Sequence, residues 1–286
     1  MQSNTSKQGR VLIIAGSDPS GGAGIQADLK TVTALGGYGM SAITALTVQD
    51  TKGVYDVMPV SPDFISAQIK TAIADIGVDA IKIGMIGNVE TGDAILAGLK
   101  EAGWEYPARN DAHMIPLILD PVLVATSGDQ LSGEGVKEFI VNRFLPISYL
   151  ITPNLMEAEA LCGFSVQTKE QQYRAGEKFL EMGAENALVK GGHGRDAVVH
   201  DIMIGRMESF TFENPRIETS STHGTGCTLA SALATGLAQG LPVKKAAGRA
   251  IAYVQKAIET APGFGAGHGP LNHAHTVFPF DVDEDQ

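Results

Sequence analysis

The chain has 286 residues, a formal net charge of −11, 44% hydrophobic residues and 34 glycines. That charge leaves no basic footprint, which excludes nucleic acid and anionic membrane as partners of the surface as a whole. The two cysteines, Cys162 and Cys227, fit neither a zinc nor a C-x-x-C spacing, so a reducing compartment, the cytoplasm, is expected, without a disulfide framework.

Residues 1–10 are polar and lack an apolar signal core; they read as a poorly ordered start to one domain over 11–276, followed by an acidic tail over 277–286. No apolar run approaches the roughly 18 residues that span a bilayer. Residues 11–15 are continuously apolar and end at Gly16, and 24–35 has helical spacing, so the chain opens strand, glycine loop, helix. Residues 40–48, small and β-branched, form the next strand. Ser61-Pro62 then supplies an N-cap and first position for a helix carrying Ile65, Ile69, Ile73 and Ile76 on one face.

Short apolar strands are expected at 80–83, 117–119, 149–151 and 187–189, each followed by glycine or proline and then a helical pattern. A hairpin follows at 197–203 and 209–212, and from Thr225 a helix has Leu229, Leu233 and Leu237 at i, i+4 and i+8. This alternation predicts an α/β fold with a central, mostly parallel sheet and helices on both faces. Ligands of such sheets bind beyond the carboxyl ends of the strands. The glycine and polar clusters of this chain fall there.

His223-Gly224-Thr225-Gly226-Cys227-Thr228 opens a helix rich in small residues. Its glycines let backbone N–H groups converge, and the helix start adds positive potential, which together suit a transferring phosphoryl group. The same dipole is expected to depress the Cys227 thiol. Lys190-Gly191-Gly192-His193-Gly194 places a lysine at a strand end, where it can neutralise a nucleotide phosphate; His193 is a weaker candidate for the same task. Asp120 and Glu157 stand at strand ends as carboxylates for hydrated Mg²⁺. Asn154 and Glu157 equally fit a capping box.

Gly22-Ala23-Gly24-Ile25-Gln26-Ala27 fits the G-x-G-x-x-[GA] dinucleotide pattern, but six residues separate its first glycine from the strand, too many for that turn. No G-x-x-x-x-G-K-[ST] is present, and His273-Ala274-His275 lacks the further ligands of a metal site.

These motifs, with Ala15-Gly16-Ser17-Asp18-Pro19-Ser20-Gly21, Thr44-Ala45-Leu46-Thr47-Val48-Gln49, Lys82-Ile83-Gly84-Met85 and Thr152-Pro153-Asn154, resemble the ribokinase-like small-molecule kinases. Within them, the chain resembles the hydroxymethylpyrimidine/phosphomethylpyrimidine kinases. The resemblance implies ATP as donor, Mg²⁺, an aminopyrimidine substrate phosphorylated twice, and a homodimer. It implies that Gln49 reads the pyrimidine edge, that Gly16, the Val48 backbone and Met85 line the same pocket, and that Asp28 lies at its rim. It also implies that Asn154, Lys190, His193 and Thr225 hold the nucleotide, and that Cys227 stands where the wider superfamily has an aspartate base, either as base or as a positioning group. Pyridoxal kinase activity is the nearest alternative, and a non-catalytic nucleotide- or vitamin-binding module the alternative of another class.

Overall fold

The computed structural model describes residues 7–106, 114–125, 127–192, 194 and 197–278. In β1 (Arg10–Ser17) the side chains divide with period two: Leu12 and Ile14 enter one buried cluster, Val11, Ile13 and Ala15 another. A strand buried on both faces must be covered twice. The division recurs after β2 (Tyr38–Gln49) and β3 (Val54–Pro59), in β4 (Ala80–Ile83) and β5 (Leu117–Leu119), where Ile81, Ile83, Leu117 and Leu119 share the face of Leu12, and Ala80 and Ile118 share the face of Ile13.

The first face is covered by α2 (Pro62–Ile76), α3 (Val89–Glu101), the short α4 (Val136–Phe139), α5 (Leu155–Cys162) and α6 (Lys169–Glu181). The second is covered by α1 (Gly24–Ala34), α7 (Thr225–Ala238) and α8 (Val243–Glu259). Small residues let α7 and α8 close on each other; a Cβ at Gly236 would lie 2.9 Å from the Ala246 Cβ.

With β6 (Leu150–Ile151), β7 (Asn186–Val189), β8 (Val198–Gly205) and β9 (Ser209–Pro215), the described residues form a sheet in the order β3-β2-β1-β4-β5-β6-β7-β8-β9. The ladders from β2 through β7 are parallel, and β3, β8 and β9 are antiparallel. The fold is the ribokinase-like α/β architecture expected. Strand order reverses at β1, whose neighbours are β2 and β4, and a crevice opens at such a switch point. β3 was not expected: none of its residues is buried, so no apolar alternation announces it.

The stretch after α8 returns to the start of α7, where His273 Nε2 lies 2.9 Å from Thr228 Oγ1. Burial, with the positive charges of Lys30 and His275, pulls this imidazole from 6.5 down to about 4. Unfolded, it takes its proton near 6.5; folded, only near 4. The linked stability is therefore complete above about pH 6.5 and falls by up to about 3 kcal/mol as pH drops to about 4. Urea unfolding of His273→Gln across that window should show a flatter pH dependence than the parent.

Candidate active site

A cavity of about 640 Å³ opens at the carboxyl ends of the parallel strands. At its centre is the start of α7. Gly224 has φ of 79°, the left-handed region, and a Cβ there would run into the Gly22 carbonyl. No side chain caps this helix start, and Thr225, Gly226 and Cys227 line the cavity. Uncapped first-turn amides and the helix dipole favour an anion at that place.

Lys190 stands opposite. Its Nζ donates to Asp120 Oδ1 at 3.1 Å, and Thr152 Oγ1 donates to the same oxygen at 3.2 Å. A Cβ at Gly226 would sit 3.1 Å from Lys190 Nζ, so glycine leaves the approach to the ammonium open. Burial pulls the Lys190 pKa down, but Asp120 and Glu157 more than reverse this, and the ammonium stays charged.

Burial pushes Glu157 up to about 7, tempered by Lys190 and reinforced by Asp120. The capping box is present: Glu157 N donates to Asn154 Oδ1 at 2.9 Å and Asn154 N to Glu157 Oε2 at 2.8 Å. Among the described residues no group of three or more His, Cys, Asp or Glu side chains is placed to hold a metal. Two mutually repelling carboxylates beside an anion cradle instead fit a hydrated Mg²⁺ that arrives with phosphate oxygens as its other ligands.

The other arm of the cavity is lined by Gly16, Thr47, Gln49 and Met85. Thr47 Oγ1 lies 2.9 Å from the Ser17 carbonyl and 3.2 Å from Gln49 Oε1, tying the amide to the glycine loop. Thr44 Oγ1 donates to the Met85 carbonyl at 3.0 Å. Val48, between two lining residues, is 58% exposed: strand alternation turns its side chain to the far face, so only its backbone, the part expected at the pocket, is left to approach a ligand.

Asp28 requires a larger correction. It does not reach the pocket rim; it is fully buried, accepting from Lys82 Nζ at 2.7 Å and from Ser231 Oγ at 2.7 Å. Lys82 is itself buried at the centre of β4, yet it lines the floor of the cavity. Ser231 lies one helical turn beyond Cys227 on the same side of α7. Asp28 thus meets the cavity only through Lys82, its ion-pair partner.

Cys227 also departs from expectation. It is half-buried at the cavity wall, and burial pushes its thiol up to about 12; Lys82 draws it down, while Asp28 and Asp120 push it further up. Loss of water is the largest of these effects, so the thiol is raised and not depressed as the sequence suggested. His193 lies outside the described residues.

Two parts of the cavity were missed in the sequence. Ile251, Val254 and Ile258 of α8 supply an apolar wall at the Lys190 end, and their spacing is indistinguishable from that of any core-facing helix. Asp18 and His223 meet across the cavity at 2.9 Å, a pairing between residues far apart in the chain.

An uncapped helix start at the switch point of a ribokinase-like sheet, faced by a lysine and two carboxylates, defines a small-molecule kinase. Residues 18–272 match the phosphomethylpyrimidine kinase family, and the chain belongs to that family. It is 42% identical over 267 residues to the hydroxymethylpyrimidine/phosphomethylpyrimidine kinase of Rhizobium meliloti, covering 92% of this chain and 96% of that one. It is 45% identical over 266 residues to the thiamine biosynthesis bifunctional protein ThiED of Geobacter sulfurreducens, of which it spans about half, 52%. The ADP complex of Bacillus subtilis pyridoxal kinase superposes with a TM-score of 0.83 at 32% identity, covering 94% of this chain and 98% of that one.

Proposed function

We propose that this kinase phosphorylates 4-amino-5-hydroxymethyl-2-methylpyrimidine at its hydroxymethyl group and then phosphorylates the monophosphate, each time from ATP. The observation that carries this reading is one cavity holding an amide at one arm, Gln49, and an uncapped helix start with Lys190 at the other. One amide offers donors and an acceptor and meets a ring nitrogen and the exocyclic amine together. Asn154, Lys190 and Thr225 hold the nucleotide phosphates. The hydroxymethyl oxygen bonds to the γ-phosphorus, the bond from that phosphorus to the β,γ-bridging oxygen breaks, and ADP leaves with that electron pair. Asp120 and Glu157 would hold Mg²⁺, which when bound would supply charge neutralisation of the phosphates. The enzyme acts as a cytoplasmic homodimer in this reading.

A thiol held up to about 12 is protonated at neutral pH and is no standing base. The hydroxyl proton therefore leaves late, to an oxygen of the transferred phosphoryl group, as suits a loose transition state. Cys227 packs against the cradle and positions the acceptor. Steady-state kinetics of Cys227→Ala should show kcat down about 10-fold, short of the 10²–10⁴ that a general base contributes, with ATP affinity retained. A loss of about 10³-fold or more would make Cys227 the base.

Gln49→Leu should weaken selection of the pyrimidine by roughly 1–3 kcal/mol in kcat/KM, through an unmet polar edge, and leave ATP binding intact. The likeness to a pyridoxal kinase structure favours a second reading, phosphorylation of pyridoxal. Comparison of kcat/KM for the two substrates decides between them, and a higher value for pyridoxal would overturn the first.

A further inference from the structure

The glycine loop after β1 and the anion turn before α7 belong to opposite ends of the chain, yet transfer needs their spacing fixed to a fraction of an ångström. Between them is a buried contact: His223 Nε2 lies 2.9 Å from Asp18 Oδ2, with the two residues only 5% and 2% exposed. The Asp18 carboxylate also accepts from Ser20 N at 2.8 Å, Ser20 Oγ at 2.9 Å and Ala23 N at 2.8 Å. Burial pushes this carboxyl up, but the bonds from His223, Ser20 and Ala23 more than offset it and hold it below its ordinary range. An ionised carboxylate only accepts, which assigns the proton of this contact to His223 Nε2.

The surrounding backbone is built to the same end. A Cβ at Gly22 would collide with the His223 ring, and a Cβ at Gly224 with the Gly22 carbonyl. His223 N in turn donates to the Gly269 carbonyl at 3.1 Å, anchoring the turn from behind. Ser20 and Ala23 shape the glycine loop from within. Among these four bonds to Asp18, only the one from His223 crosses to the anion turn.

We propose that the Asp18–His223 pair is a clasp that sets the distance between the acceptor arm and the phosphoryl cradle, His223 being a positioning residue for transfer. Both residues line the cavity. With the clasp open, each arm still binds its own ligand, but the acceptor oxygen and the γ-phosphorus drift apart. Misplacement by about 1 Å costs on the order of 10²-fold in rate. Water, which needs no placement by the glycine loop, then captures a larger share of the phosphoryl groups.

This inference rests on the site being a phosphoryl-transfer centre. If the parent enzyme phosphorylates no hydroxymethyl heteroaromatic, that reading fails; if it turns over and the clasp variants match it, only the clasp fails. The experiment measures kcat, both KM values and the ratio of ATP hydrolysed to pyrimidine phosphorylated for His223→Ala, His223→Gln and Asp18→Asn, with Tm as a check on folding. His223→Ala should lose about 10²-fold in kcat, keep both KM values within about threefold and raise the hydrolysis ratio, while His223→Gln, which retains a side-chain N–H, should recover most of the loss. Unchanged kcat and coupling in His223→Ala, or a loss confined to KM, would overturn the proposal. Should His223→Ala fail to fold, His223→Gln and Asp18→Asn decide: normal coupling in both overturns it, and uncoupling in Asp18→Asn with near-parental coupling in His223→Gln sustains it.

Discussion

Lys190→Ala should lower kcat by about 10²–10³-fold, the loss seen when one preorganised charge or donor is removed from a transition state. Its ammonium is 3.1 Å from Asp120 and faces the open position at Gly226. In its absence, Asp120 and Glu157 repel each other with no cation between them. Lys190 holds Glu157 down to about 7. Removing it raises that pKa, so more of Glu157 is protonated at neutral pH. Part of the activity lost by Lys190→Ala should therefore return as pH is raised, the acid limb of its kcat–pH profile being displaced to higher pH than the parent's. Lys190→Arg should rescue poorly: a planar guanidinium does not fit a gap sized for a lysine Nζ.

Lys82→Met should cost about 3–5 kcal/mol of stability, because it leaves the Asp28 carboxylate buried without its cation. Lys82 and Asp28 are both 0% exposed and 2.7 Å apart. Replacing the pair by apolar residues, Lys82→Met with Asp28→Leu, should recover most of that loss. Activity should not recover with it, since the cation beneath Cys227 is gone. Urea unfolding and steady-state rates on the same two variants separate the contributions. A double variant as unstable as the single one would show that Lys82 matters for packing and not for charge.

What the sequence disclosed was what is local. Residues 11–15 and 187–189 announced strands because an apolar run before glycine or lysine has few other meanings in a chain of this pattern; the structure has β1 and β7 there. The turn at Gly224 was visible for the same reason, its glycines and the helix behind it being adjacent in the chain. Long-range facts were hidden. The family resemblance placed Asp28 at the pocket rim, but its neighbours are Lys82 and Ser231. The hint available was Lys82 itself, a charge between Ile81 and Ile83 in a strand buried on both faces, which demands a buried partner.

Cys227 shows a second limit. From sequence the helix dipole is the only term in view, and it lowers the thiol pKa. Desolvation depends on how the folded chain covers the turn, which the sequence does not display; it pushes the thiol up and is the largest cause of its shift. Edge strand β3 escaped because all its residues but the partly buried Val54 are exposed, so no apolar alternation marks it.

The central claim is that one cavity transfers phosphoryl groups from ATP to an aminopyrimidine held by Gln49. Its most direct test is product analysis by mass spectrometry after incubating 4-amino-5-hydroxymethyl-2-methylpyrimidine with the purified chain and Mg-ATP. The account predicts the monophosphate first and the diphosphate after it, with ADP formed in step. Absence of both products, with pyridoxal phosphorylated under the same conditions, would contradict it.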